Sequence, residues 1–228
     1  MDANLKPPPD RLYGRARGHA LRPRQIALMG ALLPRLRWPA IAFATKPAAL
    51  WIEVGAGSFE HAEAIARANP TIGLVACEVF ENGIASLLSR IAPGDTDPAS
   101  AALPPNLRVY PDDARALLRS LPDQSLGQLF LMFPDPWPKA RHAKRRFVHP
   151  DMINEIARLM PSGAEWRIAS DDPTYQNWVC AVFAEQNNFV MAQQTTMRPE
   201  FWPATRYEAK AIRAGRQPYY WIFRRTER

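Results

Sequence analysis

Short apolar runs alternate with longer segments of helical character from Leu50 to the end of the chain. Short apolar runs bounded by turn residues are typical of buried strands. The pattern predicts strands at residues 50–54, 72–76, 107–110 and 129–133, and at about 164–169, 189–194 and 218–224. It predicts helices at residues 59–68, 80–91 and 113–119, and at about 149–160 and 174–186. This regular alternation predicts an α/β fold, with a mostly parallel sheet and helices on both faces.

The amino-terminal part of the chain has a different pattern. Residues 1–25 are rich in proline and arginine and show no hydrophobic period, so we expect a tail that is mobile without a partner. Residues 26–47 indicate a helix or helical turns and a linker, broken by Pro34, Pro39 and Pro47. We therefore predict a basic, partly flexible extension at residues 1–47 and one folded domain at residues 48–228.

Composition and charge narrow the class of protein. Lysine and arginine outnumber the acids in residues 1–48, 139–146 and 205–228. Their excess there is larger than the net charge of +7, so the rest of the chain carries a net negative charge. This distribution indicates that the basic segments bind a polyanion. It also indicates that the acidic body of the protein has an acidic pocket or binds a cationic small ligand. No apolar run approaches a membrane span and the amino terminus is too polar for a signal peptide, so we expect a cytoplasmic protein with no membrane partner. Two cysteines and four histidines without ligand spacing predict no metal site.

The most informative stretch, residues 129–148, reads LFLMFPDPWPKARHAKRRFV. Its apolar start is the fourth predicted strand, and three prolines then favour a stiff, extended loop. The loop presents Asp135 beside Trp137. Five cations follow with no anion among them: Lys139, Arg141, Lys144, Arg145 and Arg146. This combination indicates a pocket for a flat base next to a track for phosphates.

FPDPWPKARHAKRRFV closely resembles the signature of the bacterial tRNA (guanine-N7)-methyltransferases, with Ala140 where that family usually has a second lysine. Other segments that resemble motifs of the family, in the same order, are RLYGRARGHALRPRQ, residues 170–175 and Thr205-Arg206-Tyr207-Glu208. The resemblance runs from Tyr13 to Phe223. It implies a class I S-adenosylmethionine-dependent methyltransferase, with a Rossmann-like, doubly wound sheet of seven strands and an antiparallel last strand. It also implies formation of N7-methylguanine at position 46, in the variable loop of tRNA.

Gly55-x-Gly57 follows the first predicted strand and indicates a tight turn beside a nucleotide-like ligand. Ser58 is predicted to cap the helix that comes next. Glu60 stands where a dinucleotide-binding loop has its third glycine, and a carboxylate there would repel a diphosphate. S-adenosylmethionine carries a sulfonium and an ammonium group and no phosphate, so it is the predicted cofactor.

Acidic residues occur at the carboxyl ends of successive predicted strands, where open α/β sheets bind their ligands. Glu78 is placed to accept hydrogen bonds from both ribose hydroxyls, because an ionised carboxylate has two acceptor oxygens. Asp113 is assigned to the adenine amino group and Glu53 to the region of the methionine ammonium. The resemblance agrees, and the predicted cofactor-binding residues are Glu53, Gly55, Gly57, Glu78, Asp113 and Asp135.

Asp135 is also the predicted catalytic residue. Guanine N7 is an unprotonated lone pair at neutral pH, so the enzyme must align it with the methyl group without removing a proton. We expect Asp135 to orient the guanine through its donor groups and to favour the positive charge that develops on the purine. Trp137 either stacks on a base, buttresses the loop or belongs to the core.

Further substrate contacts are implied by the resemblance. Asp171 is one of them, with the alternative that Asp171 or Asp172 caps a helix that begins at Pro173. The loop at residues 198–217 is expected to close over the substrate base. The predicted substrate-binding residues are Lys139, Asp171, Thr205, Arg206, Tyr207 and Glu208.

Two other functions stay possible on the residues alone. One is a non-catalytic RNA-binding protein on a methyltransferase fold, which the acids at positions 53, 78, 113 and 135 argue against. The other is methylation of a different nucleic-acid base. The sequence leaves open whether the protein is a monomer or a homodimer, and tRNA is the partner that it predicts.

Overall fold

The computed structural model of the protein describes residue 14 and residues 16–227. The α-helices of this part of the chain are α1 (Pro23–Leu36), α2 (Glu60–Ala68), α3 (Glu81–Ile91), α4 (Ala114–Ser120), α5 (Pro150–Leu159), α6 (Pro173–Ala184) and α7 (Arg206–Arg213). The strands are β1 (Leu50–Val54), β2 (Gly73–Cys77), β3 (Leu107–Tyr110), β4 (Leu126–Met132), β5 (Glu165–Ser170), β6 (Phe189–Thr195) and β7 (Tyr219–Arg225). A short 3₁₀ helix covers Ala140–Arg145.

The strands form a sheet in the order β3-β2-β1-β4-β5-β7-β6. Chain order runs outward from β1 to β3 on one side and from β4 to β5 on the other, where β7 then lies between β5 and β6, and this is a doubly wound arrangement. β7 runs antiparallel to β5 and to β6. The predictions of an α/β fold, a mostly parallel seven-stranded sheet and an antiparallel last strand are therefore confirmed.

The chain divides into two compact units, Gly14–Ala114 and, among the described residues, 115–227. In the first unit, β1 pairs with β2 and β2 with β3, all parallel. Helix α1 packs on α3 and β3 through Leu28, Leu32 and Leu36, which recur every four residues and are fully buried. The described part of the predicted extension thus includes a packed helix, and the domain boundary at residue 47 stays a prediction. Residues 1–13 and 15 lie outside the described residues.

The second unit is built on β4, β5, β7 and β6. Its core is aromatic, with Trp166 in edge contact with Phe183 and Phe189. The rings of Phe183 and Phe223 stack with centroids 3.5 Å apart. Large aromatic side chains bury much apolar surface each, so this cluster fixes α6 against the antiparallel part of the sheet.

Several predicted boundaries are wrong, and left-handed backbone accounts for two of them. β4 ends at Met132 because Phe133 has a φ of 52°. Helix α2 begins at Glu60, and its N-cap is Phe59 with a φ of 67°, so the cap predicted at Ser58 is wrong. A positive φ is rare for a bulky residue, so no propensity argument would place one at either position.

Two helical segments also differ from prediction. Pro34 lies inside α1 without ending it, because the packing of the buried Leu28, Leu32 and Leu36 holds the helix in place despite the lost backbone hydrogen bond. The segment at residues 198–217 contains α7 where a loop was expected. Of the described helices, none is long and apolar enough to cross a membrane.

Candidate active site

The loop after β1 is fastened to the end of β2. The backbone N–H groups of Gly55 and Ala56 both donate to the carbonyl of Cys77, at 2.9 and 3.0 Å. Gly55 and Gly57 have φ values of 71° and 58°, a left-handed conformation that glycine adopts without steric cost. The two predicted glycines therefore form a tight, pinned turn.

Glu78 stands directly after β2 and holds the same turn from its side chain. Its Oε2 accepts from the Gly57 N–H at 2.6 Å and its Oε1 from the Phe80 N–H at 2.8 Å. Burial raises the pKa of Glu78, the N–H groups of Phe80 and Gly57 act in the opposite direction, and the Glu53 carboxylate raises it further. Glu78 is thus a buried acceptor whose ionised form is held by backbone dipoles.

Three predicted carboxylates gather around the end of β2. Burial raises the pKa of the Cys77 thiol, and the carboxylates of Glu78, Asp113 and Glu53 raise it further. Glu53 is buried and its Oε2 lies 2.8 Å from Nδ1 of His61, on α2. The structure therefore brings together the acids of three successive strands in the first unit. Such a cluster suits a cationic ligand and disfavours a phosphate.

Gly83 is a residue that sequence reasoning missed. A Cβ at this position would lie 2.0 Å from the carbonyl oxygen of Gly57, so only glycine lets α3 approach the turn. Arg90, on the same helix, donates to the Ser58 carbonyl and pairs with Glu63. A glycine inside a predicted helix costs about 1 kcal/mol, so its presence was a usable signal of close packing.

In the second unit, the loop after β4 carries Asp135 between two left-handed residues, Phe133 and Trp137, whose φ values are 52° and 45°. The Phe133 N–H donates to the Ala169 carbonyl at 2.8 Å, which ties the start of the loop to β5. Asp135 itself is exposed. The backbone thus presents this carboxylate to solvent on a fixed turn.

Trp137 is half-buried, so the alternative that it belongs to the core is wrong. Its ring makes an edge contact with His142, and the guanidinium of Arg145 lies 4.8 Å from its centroid. These contacts fit a residue that buttresses the loop, and stacking on a base stays a prediction. Lys139 is exposed, as are Arg141 and Lys144 of the same basic segment.

The two aspartates after β5 have different roles in the structure. Asp172 is the N-cap of α6, and its Oδ1 accepts from the Tyr175 N–H at 3.0 Å. Asp171 pairs with Nε of Arg216 at 2.6 Å. The capping alternative therefore applies to Asp172, and the substrate contact of Asp171 stays a prediction.

Thr205 and Glu208 form a reciprocal capping box at the start of α7. Oγ1 of Thr205 accepts from the Glu208 N–H, and Oε2 of Glu208 accepts from the Thr205 N–H. Oε1 of Glu208 accepts from Nε of Arg198 at 3.0 Å and from the Tyr220 hydroxyl at 2.8 Å. Both residues thus have structural partners, and their predicted contact with substrate stays a prediction.

Glu208, Arg198 and Tyr220 line a cavity of about 450 Å³ that also includes Arg216 and Gln217. Arg206 and Tyr207 are exposed on α7, where the guanidinium lies 5.4 Å from the ring centroid. The structure thus places Glu208 and Arg216, which pairs with Asp171, around one cavity. Arg206 and Tyr207 lie on the outer surface.

Comparisons with known proteins identify the family. The family described as "Putative methyltransferase" matches residues 47–221. The tRNA (guanine-N(7)-)-methyltransferase of Granulibacter bethesdensis is 60% identical over 97% of this chain and 98% of its own length. The chain belongs to the tRNA (guanine-N(7)-)-methyltransferase family. Another family member, from Paramagnetospirillum magneticum, is 44% identical over 96% of this chain and 94% of its own length.

Comparison with solved structures shows that this methyltransferase shares its fold with them. The 16S rRNA methyltransferase KamB superposes with a TM-score of 0.54 at 18% identity, over 79% of this chain and 89% of its own length. A methyltransferase requires a methyl donor. Among residues 14 and 16–227, no group of three or more His, Cys, Asp and Glu side chains is placed to hold a metal ion.

Proposed function

We propose that the protein is an S-adenosylmethionine-dependent enzyme that forms N7-methylguanine at position 46 in the variable loop of tRNA. The observation that carries the proposal is its full-length likeness to the tRNA (guanine-N(7)-)-methyltransferases. Three of the proposed cofactor-binding acids lie in the first unit, and three of the motifs shared with that family, at residues 133–148, 170–175 and 205–208, lie in the second. Because its substrate would be tRNA, we also propose that it acts in the cytoplasm.

The first unit fits S-adenosylmethionine. The carboxylates of Glu53, Glu78 and Asp113 gather at the end of β2, and such a cluster favours a ligand that carries positive charge and no phosphate. Glu78 and Asp113 are proposed to hold the ribose hydroxyls and the adenine, and Glu53 the ammonium end. Gly55 and Gly57 let the backbone approach the ligand closely. When bound, S-adenosylmethionine supplies an electrophilic methyl group on a sulfonium.

The second unit carries the proposed guanine-binding residues. Asp135 is an exposed carboxylate on a fixed turn, so it can accept hydrogen bonds from the N–H groups of a guanine. Guanine N7 needs no deprotonation, so the task of the protein is to hold the base in line with the methyl group. A fixed carboxylate also favours the positive charge that the purine gains during transfer.

Exposed cations supply the proposed contacts with the tRNA backbone. Lys139, Arg141, Lys144 and Arg206 are all exposed, as a phosphate contact requires. Each phosphate that a cation neutralises releases counterions, so affinity for tRNA should fall steeply as the salt concentration rises.

The experiment that tests the proposal uses S-adenosylmethionine with a labelled methyl group and an unmodified tRNA transcript. Borohydride and aniline then cleave the chain at N7-methylguanine. Scission at the variable-loop guanine supports the proposal. Label in the tRNA without scission would assign the enzyme to another atom, and binding of tRNA without label would favour a non-catalytic role.

A further inference from the structure

Arg146 differs from the other cations of the basic segment. Lys139, Arg141 and Lys144 are exposed, whereas Arg146 is only 6% exposed. Burial lowers the pKa of its guanidinium, which is the effect expected when a charge leaves water. A cation that contacts phosphates gains nothing from such burial, so its position calls for another role.

The contacts of Arg146 are directed at the loop that carries Asp135. Its Nε donates to the carbonyl of Pro136 at 3.1 Å, and one terminal nitrogen donates to the carbonyl of Trp137 at 3.0 Å. Pro136 is the residue directly after Asp135. The fork of the guanidinium therefore spans two consecutive carbonyls and fixes the two peptide planes on either side of the Trp137 Cα.

Helix α6 holds Arg146 from its other side. The guanidinium carbon lies 4.7 Å from the ring centroid of Trp178, a cation–π contact. Nε1 of Trp178 donates to the Val148 carbonyl at 2.6 Å, and the Val148 N–H donates to the buried hydroxyl of Tyr175 at 3.4 Å. The chain directly after Arg146 is thus anchored to the helix on which its guanidinium packs.

The carbonyl of Trp137 belongs to a strained residue. A φ of 45° in a tryptophan costs of order 1–3 kcal/mol and persists only where the surroundings determine it. Hydrogen bonds from Arg146 stabilise this conformation from the carbonyl side. Loss of the guanidinium would therefore let the turn relax and move the carboxylate that lies two residues away.

We propose that Arg146 is a positioning residue, which fixes the Pro136–Trp137 backbone so that Asp135 meets the guanine in the orientation for methyl transfer. This inference rests on the proposed function. It separates Arg146 from the phosphate-binding cations of the same segment, and it makes Trp178 the support on which the guanidinium rests.

The test compares Arg146→Lys and Arg146→Ala with Lys144→Ala, which removes an exposed cation of the same segment. Single-turnover rates are measured at saturating tRNA and S-adenosylmethionine, and tRNA affinity is measured over a series of salt concentrations. Both Arg146 variants should lose about a hundredfold in rate, because small misplacement of a reacting group has that effect. Lysine keeps the charge and cannot span both carbonyls, so it should not rescue the rate.

Salt dependence distinguishes positioning from phosphate binding. Lys144→Ala should reduce the slope of log affinity against log salt by about 0.7 to 1, whereas the Arg146 variants should leave the slope unchanged. A wild-type rate in Arg146→Lys, with a reduced slope in Arg146→Ala, would overturn the proposal.

If the Arg146 variants fail to fold, Trp178→Leu provides the second test, with an expected rate loss of about tenfold and an unchanged slope. A wild-type rate in a folded Trp178→Leu would also contradict it.

The assay of the wild-type enzyme distinguishes failure of the proposed function from failure of the positioning role of Arg146. If the unmodified enzyme gives no N7-methylguanine, the proposed function fails whatever the Arg146 variants do. If it methylates N7 and the Arg146 variants change only the salt slope, the positioning role alone fails.

Discussion

Oε2 of Glu78 accepts a hydrogen bond from the Gly57 N–H at 2.6 Å, so the carboxylate proposed to bind the ribose also holds the turn beside it. The second oxygen of Glu78 is bonded to the Phe80 N–H. One side chain therefore links the two loops that follow β1 and β2. Ionisation of Glu78 therefore affects both the shape and the charge of the proposed S-adenosylmethionine site.

We expect Glu78→Gln to weaken S-adenosylmethionine binding by about ten- to a hundredfold. Hydrogen bonds to a charged acceptor contribute about 1.5–3 kcal/mol each, and the amide offers one acceptor oxygen where the carboxylate offers two. Isothermal titration calorimetry measures the change. A dissociation constant within threefold of the wild-type value would show that Glu78 is only a structural residue of the turn.

Gly83→Ala should destabilise the first unit by about 1–3 kcal/mol, because the new Cβ would overlap the Gly57 carbonyl oxygen. Gly30→Ala is the matched control. It also lies inside a helix, and a Cβ there has no atom within 4 Å, so it should stabilise the protein by about 0.5–1 kcal/mol. Denaturant unfolding compares the two. Equal effects would contradict the close approach of α3 to the turn.

We predict that protonation of the buried His149 destabilises the folded protein in mild acid. It is buried at the start of α5, where its Nδ1 accepts from the Asp151 N–H, and burial lowers its pKa. A lowered pKa in the folded state means that the unfolded chain binds more protons below the ordinary histidine value of about 6.5. The free energy of unfolding is therefore highest above that pH and falls as the pH drops toward the lowered pKa.

His149→Asn keeps a capping side chain and removes this titration. We expect the melting temperature of the variant to fall less than that of the wild type between about pH 7.5 and pH 5.5. Differential scanning calorimetry at both pH values provides the measurement. An unchanged pH dependence would assign the effect to other groups.

The order of the seven strands and of helices α2 to α6 was predictable because buried strands are short apolar runs that alternate with longer segments of helical character, whereas α7 was not predicted. β1 and β3 have the predicted bounds. The left-handed residues were not predictable, because Phe59 and Phe133 are bulky and nothing local favours a positive φ. Tertiary packing, which buries Phe59 completely, determines that conformation.

The candidate site was predictable in its residue types and less so in its contacts. Successive acids after parallel strands led to Glu53, Glu78 and Asp113, which the structure brings together around Cys77. The capping box of Thr205 and Glu208 was missed because residues 198–217 were expected to form a loop, and the partners of Glu208 on β7 and at residue 198 depend on the fold. Burial of one arginine in a run of cations also leaves no trace in the sequence.

The role of Asp135 is the central claim, and Asp135→Asn tests it most directly. We expect S-adenosylmethionine affinity within about threefold of the wild-type value, because the acids of the first unit are unchanged and the side-chain oxygen of asparagine can still accept a hydrogen bond from the cofactor. Single-turnover methylation of tRNA should fall by about a hundred- to a thousandfold, as for loss of one group that stabilises developing charge. A wild-type rate of N7-methylguanine formation in the variant would contradict the account.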